Sequence, residues 1–163
     1  MLLPLPVDAA RTMALANHLS FVACRDGAGT AYLLNELIRL VYITFYVQDA
    51  GFGDTDVIVY ARAEAALERS VQRAESERVW RLDPGDLPLF ETVLREADRQ
   101  LASAPRHAHF GAQQRLDRFA LSERASPLPA AVRDRATADL ETGIRRNKAT
   151  TTPADAVPPP PEN

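Results

Sequence analysis

The chain reads as an all-α domain, a small bundle of four or five helices around a buried central one, and three features of the sequence say so. Residues 33–47 (LLNELIRLVYITFYV) are apolar on nearly every side, the pattern of a helix covered all round. The segments before and after it repeat apolar residues at intervals of three and four, the period of one helical face. Turn-forming residues close the central segment at both ends, Asp26-Gly27-Ala28-Gly29-Thr30 ahead of it and Asp49-Ala50-Gly51-Phe52-Gly53-Asp54 behind. The helical domain is expected over residues 1–121, and a disordered, proline-rich tail over 122–163.

A first helix is expected over 7–25. Ala10, Met13, Ala14, Phe21 and Cys24 form one stripe, Leu15, Leu19 and Val22 an adjoining one, and Gly27 supplies the stop. Thr30 is the expected N-cap of the central helix, whose Leu33, Leu34, Leu37, Ile38, Val41 and Phe45 repeat at helical spacing. A third helix begins near Asp54 to Asp56 and buries Tyr60, Ala63, Leu67, Val71 and Ala74, with Glu64, Glu68, Arg69 and Arg73 on a solvated face. Trp80 falls in a connection. Asp83-Pro84-Gly85-Asp86 then has the acceptor and the proline of a helix start. The fourth helix carries Phe90, Leu94, Ala97 and Leu101 up to Pro105, and a fifth, from about Ala108, turns Ala112, Leu116 and Phe119 inward.

One alternative competes locally. Residues 40–47 and 57–60 are rich in β-branched and aromatic types and have the composition of a hairpin. Helical patterning runs into the first segment from Leu33 and onward from the second to Ala74, which favours helix for both.

The 163 residues are 46% apolar and 25% charged, enough for one core. Seven of twelve prolines follow Ser122, where bulky apolar residues thin out. Within the tail Val132, Ala136, Leu140 and Ile144 are spaced by four, as in a transient helix around 130–144, and Pro158 to Pro161 favour an extended run. Net charge is −3, spread as −2, −1 and 0 over residues 1–54, 55–121 and 122–163. This distribution offers no strong attraction to a polyanion. One cysteine allows no internal disulfide, so a reducing cytoplasm is the expected setting. The N-terminus lacks the basic and apolar regions of a secretory signal, and the central segment, with Asn35, Glu36 and Arg39, is too short and too polar to span a bilayer. All but one of the nineteen basic residues are arginine, a bias of GC-rich coding expected of a bacterial source.

Chemistry-bearing residues are scattered. Gly27-Ala28-Gly29-Thr30 follows a helix and lacks a phosphate-loop lysine, so it reads as a turn. The glycine turns lie at opposite ends of a helix about 30 Å long and cannot form one site. His18 reads as a partly buried, hydrogen-bonded residue. Cys24, near a helix C-terminus where the dipole disfavours thiolate, reads as a small core residue. His107 and His109 are two ligands without a third, so no metal or cofactor is expected.

These observations lead to a non-enzymatic interaction or regulatory module that binds a protein partner or itself. Its expected contact is aromatic: Tyr32, Tyr42, Tyr46, Phe52 and Tyr60 around the central helix, with Trp80 either anchoring a loop or meeting the partner. The competing expectation is a small DNA-binding regulator that reads phosphate through Arg106, Arg115 and Arg118. Its would-be recognition helix, however, is the most apolar segment of the chain.

Overall fold

The structure, a computed structural model, describes residues 3–150, and of residues 141 and 143–150 the backbone alone. It is all-helical: α1 (Val7–Asp26), α2 (Ala31–Asp49), α3 (Val57–Glu77), a 3₁₀ turn (Pro84–Asp86), α4 (Leu87–Ser103), α5 (Arg106–Ala120) and α6 (Ala130–Thr150). Residues 40–47 lie within α2 and 57–60 open α3, so neither is a hairpin strand. The described residues thus form six α-helices, one more than the upper expectation.

Local chemistry explains the ends. Gly27 takes a left-handed conformation (φ 83°) that closes α1, and the Thr30 hydroxyl accepts from the Leu33 N–H at 3.2 Å to start α2. Asp56 caps α3 by accepting from the Ile58 N–H at 3.0 Å. The last turn of α3 ends on Arg78, a non-glycine residue at φ 59°. Gly29 has to lack a side chain, because a Cβ there would collide with the Trp80 carbonyl. Residues 80–82 are pinned to the end of α1 at this point, the Leu82 N–H donating to the Cys24 carbonyl at 3.0 Å.

Helix α2 packs against α1, α3, α4 and α5. Its all-round burial follows: Leu37, Val41 and Val47 are wholly enclosed, and Thr44 returns its hydroxyl to the Leu40 carbonyl at 2.7 Å. The predicted inward stripe of α4 is buried at all four positions, and α5 buries Ala112 and Leu116.

The sixth helix lies where a transient helix in a tail is expected from the sequence, and it packs on α3. Leu128 and Ala136 are buried, and Val132 packs against the core. The reason lies across the interface. Glu64, assigned by its spacing to a solvated face, is only 3% exposed; its carboxylate accepts from the Tyr42 hydroxyl at 2.6 Å and from Arg133 Nε at 2.9 Å. A small-residue stripe on α6 and one part-buried ion pair hold what bulky side chains hold elsewhere. Ile144 as a side chain and Pro158 to Pro161 lie outside the described residues.

Candidate functional site

The structure divides the six aromatic candidates. Tyr42, Tyr46 and Tyr60 are core residues. Tyr42 binds Glu64 and stands edge-on to Phe119, and burial pushes its phenol pKa well above the ordinary value, helped by the adjacent carboxylate. Tyr60 donates to Gln48 Oε1 at 2.8 Å, and burial raises its phenol too. Phe52 and Trp80 are half-buried against the core, and Tyr32 is 67% exposed. The cluster inferred from proximity in sequence therefore presents one free ring, because a helix covered on four sides turns its aromatic residues into the fold.

A second buried polar group ties the α2–α3 connection to α4. Glu96 accepts from the Thr55 hydroxyl at 3.1 Å and from Arg99, which also pairs with Asp54. Gln100 Nε2 donates to the carbonyls of Thr44 (3.0 Å) and Phe52 (2.9 Å). Gln48 brackets Thr55 from the other side, donating to its carbonyl and accepting from its N–H. Gly53, at φ 155°, leaves room for Glu96. These groups satisfy one another, so the arrangement shapes a loop and offers no open acid or base.

The arginine candidates are dispersed in role. Arg115 pairs with Asp49 at 2.7 Å and lies 4.2 Å above the Tyr46 ring. Arg118 Nε donates to the Gln114 carbonyl within its own helix. Arg106 is exposed at the start of α5. Among the histidines, His18 on α1 meets Asp98 of α4 at 2.9 Å, with both side chains nearly half exposed, so the pair bridges two helices at the surface. His107 stands edge-on to Phe52. His109 Nε2 lies 3.1 Å from the Gln100 carbonyl, and burial lowers its pKa. Cys24 is fully enclosed, and burial raises its thiol to about 11. Among the described residues no three of His, Cys, Asp and Glu approach closely enough to hold a metal ion, and no helix is long and apolar enough to cross a membrane.

What the surface does present is apolar and lies on α1. Only Ser20, Phe21 and Cys24 of this helix are buried, whereas Leu15 and Leu19 are each 60% exposed and Val22 is exposed beside them. Read with Thr12 and Asp26, these positions follow a spacing of three and four, the seam of a two-helix coil. Alanines at 9, 16 and 23 border one side of it, and Arg11, His18 and Arg25 the other. The sequence shows this stripe but not which of the two stripes of α1 faces inward.

Among the described residues, fold and surface define a six-helix all-α domain with an unpartnered apolar face on α1. Comparison with models of protein families, with curated proteins and with solved structures finds no match to this chain.

Proposed function

We propose that this protein is a non-enzymatic helical interaction module that self-associates through the outer face of α1. One observation carries the reading: Leu15 and Leu19, large and apolar, stand 60% exposed one turn apart on a seam with coiled-coil spacing. A second copy is the occupant such a seam suits, because a twofold pairing lets each stripe cover the other, and the bordering alanines permit close approach. Burial of a leucine contributes about 1.5–3 kcal/mol, and association costs part of this back, so the dimer is weak and concentration-dependent.

The DNA-binding reading draws less support, since Arg115 is occupied by Asp49 and Tyr46, and the second helix lies at the centre of the bundle. Sedimentation velocity of the full chain across a dilution series tests the proposal. A concentration-dependent dimer is expected, lost in the Leu15→Gln, Leu19→Gln double variant with helical content unchanged. A monomer throughout the series would overturn it.

A further inference from the structure

A cleft of about 420 Å³ opens between α1, α2, α4 and α5. We propose that this cleft binds a small amphiphile with an apolar chain and a single carboxylate, of the medium-chain fatty acid type. It has the size of a small-molecule site and the usual construction of one, apolar walls with a few polar groups. Met13, Leu40, Ile43, Leu101 and Phe110 supply the walls. Phe110 is 65% exposed, an unusual position for a phenylalanine with no partner across the opening.

The polar groups define the head. Glu36, Arg39 and Arg106 are the carboxylate and guanidinium groups that line the cleft. Arg39 lies 3.7 Å from Glu36, so these two charges offset each other. Among the described residues the Arg106 side chain makes no ion pair or hydrogen bond, and its backbone N–H donates to the Leu3 carbonyl. One uncompensated cation at the mouth of an apolar cleft is complementary to one anionic head, and guanidinium suits a carboxylate bidentately.

His109 adds a second selection. Its Nε2 faces a carbonyl, which only accepts, so Nε2 carries the proton; burial favours the neutral ring, which leaves Nδ1 as an acceptor. Arg39 is offset by Glu36, Gln100 Nε2 and the Thr44 hydroxyl are already engaged by backbone carbonyls, and Arg106 is left as the one uncompensated cation among the described lining residues, which favours one carboxylate over a dianionic phosphate. The other large groove, between α2 and α3, differs on this point. Its Glu64 and Tyr42 already satisfy each other, and Glu64 also binds Arg133.

Titration calorimetry of the full chain with decanoate, below its micelle concentration, tests the assignment, with the Met13 methyl resonance as a local reporter. Saturable uptake of one decanoate per chain that shifts Met13 is expected. Arg106→Ala should weaken it about tenfold, the loss of one charged hydrogen-bonded contact. Gln113→Trp, at a half-buried position on the α5 wall of the cleft, should abolish it by filling the space. Leu19→Gln, on α1 outside the cleft lining, should leave uptake unchanged, which separates this site from the self-association seam. Absence of saturable uptake, equal binding of decylamine, or uptake indifferent to Gln113→Trp would each overturn the proposal.

Discussion

Replacing Arg133 by alanine should loosen α6 from the rest of the fold while leaving the other helices in place. Glu64 is 3% exposed and would keep only the Tyr42 hydroxyl as a partner. Removing one member of a fully buried ion pair costs about 3–5 kcal/mol. The Arg133 side chain, however, is 34% exposed, so water follows it to the carboxylate when it is removed. A loss of about 2 kcal/mol results, between the buried figure and the value below about 1 kcal/mol of a surface pair. The exposed Arg62–Asp139 pair, which also links α3 to α6 at 2.5 Å, serves as the surface comparison. Since α6 packs on α3, the loss is expected to appear as local opening. Amide hydrogen exchange should accelerate about thirtyfold across 130–140 in Arg133→Ala, the equivalent of 2 kcal/mol, and only a few-fold in Arg62→Ala. Exchange in α6 within twofold of the wild type would refute the reasoning. So would equal acceleration in all six helices, which would mean that α6 does not open separately.

Three further outcomes follow from the same structure. Gly53→Ala places a Cβ against Glu96 and 2.9 Å from Gln48 Cβ, so it should cost more than about 2 kcal/mol in urea denaturation; Gly111→Ala, inside α5 with nothing within 4 Å, should gain about 0.5–1 kcal/mol. Burial raises the Tyr42 and Tyr60 phenols in the folded state. The stability this confers is whole below the unfolded phenol's value of about 10 and is lost as pH rises beyond it. The urea midpoint should therefore fall between about pH 9 and 11, less so in Tyr42→Phe, and a flat midpoint would contradict it. Cys24, with its thiol raised to about 11 and no exposed surface, should be alkylated only as fast as the whole domain unfolds; rapid labelling of the native protein would show the end of α1 to be open.

Much of the architecture was legible because periodicity and punctuation agree along the chain. Thr30, Asp56 and Gly27 mark helix ends through contacts with their own neighbours, so local sequence reports them faithfully. The central place of α2 was legible for a related reason: a helix apolar all round has to be enclosed. The aromatic site was not. Tyr42, Tyr46 and Tyr60 are recognisable as interface-prone residue types, but whether such a ring faces a partner or the core depends on which helices cover α2.

Residue spacing and the amphipathicity of single elements were enough to give the helical class, the helix ends, the inward stripe of α4 and the burial of Cys24. The burial of Glu64, the packing of α6 on α3 and the exposure of Leu15 and Leu19 emerge from contacts between helices. Glu64 carries the spacing of a surface residue and is kept inside by Tyr42 and Arg133, 22 and 69 positions away. Helix α1 carries two apolar stripes, and its neighbours cover one. Both are pairings between distant segments, and the free energy of such a pairing is a property of the two surfaces together, which neither stretch of sequence contains.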